Sequence, residues 1–212
     1  MPELSRRVQT FTDSVIRRMT RINNMTPGSI NLSQGFPDFD PPKEILDALK
    51  EAAEHGPHQY SITFGAKNFR DALAEMYTKK FAREIDPEKE IVVTCGGTEA
   101  MMAAMMTVCN PGDKVAVFSP FYENYGADAI LSGADPIYVP LVPPDFHYDS
   151  EALERAFQAG AKALILCNPS NPCGKVFTME EMEEIEREAR EQSRERALRE
   201  ERLEQERQAH GW

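Results

Sequence analysis

Residues 90–131 read EIVVTCGGTEAMMAAMMTVCNPGDKVAVFSPFYENYGADAIL. Residues 90–94 form a short β-branched run, and residues 99–108 a Met- and Ala-rich stretch of helical character. Residues 114–118 are strand-like again, and residues 123–131 helix-like. The punctuation agrees with this division. Asn110-Pro111-Gly112-Asp113 closes the first helix with turn chemistry, and Ser132-Gly133-Ala134-Asp135 closes the second. Further on, residues 136–140 predict a strand, residues 150–157 a helix and residues 163–166 a buried strand. Strand and helix in alternation make βαβ units. The fold class expected is therefore α/β: a three-layer α/β/α arrangement around a mostly parallel sheet.

On the N-terminal side the pattern changes. Residues 32–42 mix Pro, Gly and Asp, so they cannot stay regular for long. Helical patterns over residues 42–54 and 68–82 flank a Gly/His/Tyr-rich link. The first residues lack the apolar core of a signal peptide. They predict a polar, amphipathic helix with Val8, Phe11, Val15 and Ile16 on one side. At the other end, nearly every residue from Met179 onward is charged or a good helix former, with Ile185, Leu198 and Leu203 as the large aliphatics. Glu/Arg pairs at i,i+4 support a helix, but the apolar positions are too sparse for a core-facing stripe. A long, solvated helix follows. The expected organisation is an arm over residues 1–45, an α/β domain over residues 46–177 and a charged helical tail over residues 178–212.

Composition narrows the function. The formal net charge of the 212 residues is -11, which gives no electrostatic footprint for nucleic acid or an anionic membrane. Apolar runs such as residues 163–167 are far too short to cross a bilayer. Cys95, Cys109, Cys167 and Cys173 form no CxxC pair and no zinc spacing, so no metal site is expected. Reduced thiols in a cytoplasmic protein are the simplest reading.

Four segments carry chemistry. In Thr94-Cys95-Gly96-Gly97-Thr98-Glu99 a strand is expected to give way to a helix, where free N–H groups and the helix dipole favour an anion. The glycines permit close backbone approach, and the Thr98 hydroxyl can donate to a phosphate. Neither GxxxxGK[ST] nor GxGxxG is present. A plain turn with Thr98 as N-cap would read the same. Asn168-Pro169-Ser170-Asn171-Pro172-Cys173-Gly174 follows the last expected strand, where parallel sheets form their ligand crevice. Its prolines stiffen the loop that presents Asn171, although a surface Asn-Pro turn is the commoner explanation. In Ser119-Pro120-Phe121-Tyr122-Glu123-Asn124-Tyr125, Tyr122 either stacks on a flat ring or packs at a helix start. In the segment from Asn31 to Phe39, Gly35 and Pro37 shape a loop that exposes N–H groups to a carboxylate, or merely a linker turn.

Taken in order, the phrases NLSQGFPDFDPP, HQYSITFGAKNFRDALAE, VVTCGGTEAM, SPFYENY and CNPSNPCGKVFT resemble the class I/II aminotransferases. These are fold-type I pyridoxal-phosphate enzymes, and the aspartate, methionine and kynurenine aminotransferase-like members are the nearest. The resemblance runs over residues 4–184. It implies pyridoxal 5'-phosphate as cofactor, an amino acid and a 2-oxo acid as substrates, and a homodimer. It implies that residues 1–45 include a substrate loop and that residues 46–177 are part of the cofactor-binding domain. By the same resemblance Gly96, Gly97 and Thr98 would hold the phosphate and Tyr122 would stack on the pyridine ring. Asn171 would bond the ring's O3′ and touch the substrate carboxylate. Gly35 would contact that carboxylate through its backbone. Tyr60 would bind the phosphate in the neighbouring subunit's site. Cys173 departs mildly from the Thr or Leu common in the family.

The resemblance stops near Glu184. The family then requires an Asp that pairs with the pyridinium nitrogen, the Lys of an S-x-x-K segment that holds the cofactor covalently, and a late Arg for the substrate carboxylate. After Lys175 the chain has no lysine, and REERLEQER stands near residue 200 where a hydrophobic strand belongs. Lys175 follows the Asn171 loop, but the family places a structural residue there, so no catalytic residue is assigned. The expectation is a truncated aminotransferase, inactive as this chain. The alternatives are a non-catalytic α/β module with a helical interaction tail, or a lyase of the same fold.

Overall fold

A computed structural model describes residues 3–10 and 14–210. In chain order its helices are α1 (Val15–Asn24), α2 (Lys43–His55), α3 (Lys67–Phe81), α4 (Gly96–Val108), α5 (Asn124–Ser132), α6 (Ser150–Gln158) and α7 (Met179–His210). The strands are β1 (Lys114–Ser119), β2 (Asp135–Val142), β3 (His147–Tyr148) and β4 (Ala161–Ile165). The chain divides into two compact units: Met1–Thr12 with Met101–Trp212, and Asp13–Ala100.

The first unit holds the sheet, in the order β3-β2-β1-β4. β1 runs parallel to both β2 and β4, with Val117 opposite Tyr138 on one side and Ile165 on the other. The crossovers are α5 and α6, as the alternation predicts. β1 alternates between two cores because successive side chains leave a strand on opposite faces. Ala116 and Phe118 join Val139, Leu153, Phe157 and Phe177 on one face, where Ile185 of α7 also packs. Val115 and Val117 join Met105 of α4, Cys109 just after it, Ala129 of α5 and Ile165 on the other. Helices cover both faces, which is the three-layer α/β/α arrangement expected from the alternation. Each fully buried aliphatic such as Val115, Val139 or Leu153 stabilises the unit by about 1.5–3 kcal/mol.

Local chemistry sets the ends of these elements. Gly133 closes α5 at φ 92° and donates to the Ala129 carbonyl. A side chain there would be strained and would meet Pro111 Cα at 3.3 Å. Arg7, in a short 3-10 helix at Arg6–Gln9, donates to the Leu131 carbonyl in the last turn of α5 at 3.0 Å. Asp149 caps α6 by accepting from Ala152 N at 3.1 Å. At the start of α7, Thr178 Oγ1 accepts from Glu181 N at 3.2 Å, and Glu181 Oε2 accepts from Thr178 N at 2.9 Å. That reciprocal pair is a capping box.

The second unit has little apolar core. Ala74 and Ile85 are buried, but its most buried side chain is Arg70, 1% exposed. Its guanidinium donates to the carbonyls of Gly65 and Pro87 and to Glu88. The backbone of a linking segment is thereby tied to α3.

Three expectations need correction. Residues 90–94 form no strand and join no sheet among the described residues. Val93 N donates to Phe64 O at 3.0 Å, and no neighbouring strand takes up the rest of the run. A β-branched run becomes a strand only beside a partner. The single N-terminal helix is instead the 3-10 helix at Arg6–Gln9 and the separate helix α1, and Phe11 lies outside the described residues. Finally, β2 extends to Val142 and turns back into β3, giving a short antiparallel pair at the sheet edge. The turn passes through Phe146 at φ 56°, a conformation that no sequence pattern there announces.

Candidate functional site

Because β1 and β4 are adjacent and parallel, the segments that leave their C-terminal ends emerge on one edge of the sheet. Ser119 to Tyr125 leaves β1, and Asn168 to Gly174 follows β4. Tyr122 and Asn171 are therefore brought to the same edge. Tyr122 is half-buried, its ring set edge-on to Tyr125 with centroids 5.8 Å apart and planes at 75°. Tyr125 lies against the Cys167 thiol, and that hydrogen bond, together with burial, pushes its hydroxyl up to about 12. Cys167 Sγ also reaches Pro169 O at 3.3 Å. Tyr125 thus packs β1's outgoing segment onto β4's.

The Asn171 loop is internally braced. Gly174 N donates to Ser170 O at 2.7 Å, and Ser170 N donates to Lys175 O at 2.8 Å. Asn168 Oδ1 accepts from Phe177 N at 3.1 Å. Ser170 is buried beneath the loop while Asn171 stays exposed. This is a stiff support that leaves one amide outward.

Gly96, Gly97 and Thr98 form the first turn of α4. The helix starts at Gly96, so Thr98 lies inside it and is not its N-cap. Gly96 has φ 80°, and a Cβ on Gly96 or Gly97 would meet nothing within 4 Å. Glu99 reaches back so that its carboxylate accepts from Cys95 N. First-turn N–H groups point out of a helix's N-terminal end, and the two glycines put no side chain beside them. This fits a phosphate. Gly35 is likewise exposed with open space around its Cα, in a segment braced where Ser33 N donates to Asn31 Oδ1 at 3.0 Å. The Tyr60 side chain is fully exposed. Gly35, Tyr60, Gly96, Gly97 and Thr98 belong to the second unit; Tyr122 and Asn171 belong to the first.

The burial of Asp128 and the pairing of Lys175 are not legible in the sequence in the same way. Asp128 on α5 is buried, Oδ2 has no partner, and burial raises its pKa. Its neighbours in sequence gave no sign that this turn of α5 faces inward. Lys175 pairs with Glu181 at 2.8 Å and sits 5.1 Å from the Phe177 ring. The Thr178-x-x-Glu181 spacing was the available signal there. Among the described residues no His/Cys/Asp/Glu cluster is arranged to hold a metal, and no helix is long and apolar enough to cross a membrane.

Comparison with known proteins bears on this edge. Residues 27–193 match the family model for aminotransferase class I and II. Kynurenine--oxoglutarate transaminase 3 of Rattus norvegicus is 33% identical over an alignment of 192 positions that covers 85% of this chain and 42% of the relative. The solved N-succinyldiaminopimelate aminotransferase of Mycobacterium tuberculosis superposes with a TM-score of 0.82 at 34% identity, covering 90% of this chain and 50% of that one. Aspartate aminotransferase of Thermus thermophilus gives 0.80 at 31% identity, over 91% and 51%. The chain spans about half the length of the relatives it matches.

Proposed function

Since this chain belongs to the class I and II aminotransferase family, we propose that it is the cofactor-recognising half of a pyridoxal-phosphate-dependent aminotransferase. The activity is amino-group transfer between an amino acid and a 2-oxo acid. The observation that carries the reading is the shared edge: Tyr122 and Asn171 stand at the ends of adjacent parallel strands, in a family defined by that cofactor. Bound pyridoxal phosphate supplies the electron sink.

The chain's own residues do the positioning. Gly96, Gly97 and Thr98 would hold the phosphate at the head of α4. Tyr122 would face the ring, and Asn171 would orient it and the substrate carboxylate. Gly35 would offer backbone to that carboxylate, and Tyr60 would serve the site of a second copy in a homodimer.

Transfer itself needs a lysine at this edge, and the sheet unit offers none that is uncommitted. Lys114 and Lys162 sit at the opposite, N-terminal edge, donating to Ala159 O and pairing with Asp113, each at 2.8–2.9 Å. Lys175 is held by Glu181. We therefore expect the 212-residue chain to bind pyridoxal phosphate without transferring amino groups. A second reading, a non-catalytic module with a helical interaction tail, draws on α7, which runs on to His210 although, among the described residues, Ala189 is the last of its apolar side chains packed on the core. Titration with pyridoxal phosphate, followed by absorbance and by quenching of tyrosine fluorescence, separates the two. Saturable binding that weakens about tenfold or more in N171A, the scale of one lost hydrogen bond to a charged group, supports the first. The second predicts no binding. Amino-group transfer by this chain would refute the expectation of inactivity.

A further inference from the structure

We propose that Lys175 is a positioning residue that ties the Asn171 loop to the first turn of α7 and so fixes the direction in which Asn171 faces. The inference rests on the reading of Asn171 as a ligand-binding residue, but its geometry stands independently. The Lys175 side chain is 8% exposed, and its ammonium lies 2.8 Å from Glu181 Oε1. The other oxygen of the same carboxylate, Oε2, accepts from Thr178 N in the capping box. One carboxylate therefore serves two structures, the helix terminus through one oxygen and the loop through the other. Glu181 is itself held where it is by the helix it caps.

The lysine's backbone completes the link. Lys175 O accepts from Ser170 N at 2.8 Å, and Ser170 O accepts from Gly174 N at 2.7 Å. The turn that carries Asn171 is thus closed on the residue whose side chain is pinned. Phe177, two residues on, is anchored in the core against Phe118 and sits beneath the ammonium at 5.1 Å. Its N–H donates back to Asn168 Oδ1 at the start of the loop. Both ends of the loop are fastened to one short segment, and the ion pair joins that segment to α7. Neutralising the lysine should free the loop while sparing the sheet.

The test is amide hydrogen exchange on the full chain, with K175M, K175R and E181Q, alongside pyridoxal phosphate titration. In K175M, exchange across residues 169–176 should rise about tenfold or more, the scale of one lost hydrogen bond to a charged group. Amides of β1 and β4 should keep their protection. K175R, which retains the charge and can reach Glu181, should return the loop to near wild-type exchange, and pyridoxal phosphate affinity should fall in K175M and recover in K175R. Wild-type exchange in the K175M loop would overturn the proposal, as would a loosened loop with unchanged affinity. Should K175M unfold outright, E181Q decides: a local rise supports the tie, and no rise refutes it. If the wild-type chain takes up no pyridoxal phosphate, the functional reading falls, and the exchange data still settle the role of Lys175.

Discussion

Asp128 shows how much one side chain can hold in reserve. It is 4% exposed with an unpartnered oxygen, and burial raises its pKa above the ordinary carboxylate value. An acid whose folded pKa is raised takes up its proton more readily when folded. The penalty is therefore absent below the unfolded pKa and develops as pH rises through the folded one. D128N should thus stabilise the protein by about 1 kcal/mol at pH 7, with the gain shrinking towards pH 4. Urea unfolding at both pH values checks this, and an equal gain at each would contradict it. Single residues were also where sequence reading was weakest. Tyr122 and Asn171 were legible because each follows a strand, and the fold carries strand ends to one edge. Asp128 was not legible, because burial depends on which face of α5 meets the sheet. Arg70 was not, because its carbonyl partners come from distant turns.

At the level of elements, α7 divides at Ala189. Before it, Met182, Ile185 and Ala189 lie against the core; beyond it, Leu198 is 55% exposed. The i,i+4 pair Arg190–Glu186 spans the division, and the helical propensity of α7's residues carries the remainder. Amides of residues 194–207 should exchange fast, near the rate of an isolated helix, while those of residues 182–190 are protected. T178A should remove the capping box and lower stability by about 1 kcal/mol, measured by urea unfolding. Strong protection out to Arg207 would contradict the division. The parallel strands and their crossovers were readable from periodicity and turn residues. The β-branched run at residues 90–94 reads as a strand and is not one, since β propensity is visible in one segment whereas pairing needs two.

For the molecule as a whole, the distribution of apolar surface matters most. α1 and α2 bury no residue, yet Val15, Met19 and Ile22 on one and Ile45 and Leu49 on the other are exposed. Leu32, Phe36 and Phe39 between them are more than two-thirds uncovered. Patches of this kind mark surfaces that other protein covers. The isolated chain should enhance the fluorescence of a dye such as anilinonaphthalene sulfonate and should self-associate as concentration rises, seen by light scattering. A monomer without dye binding at high concentration would argue against it.

The strand order carries a consequence for how the sheet is assembled in time. β2 pairs with a strand 21 residues before it, whereas β4 must find β1 across 47 residues. The difference in loop-closure entropy is about 0.7 kcal/mol in favour of the nearer pair. During synthesis β1, α5 and β2 also leave the ribosome before any of β4 exists. The β1–β2 ribbon is therefore the natural template, and β4, with the Asn171 loop at its end, is the last strand to be laid against it.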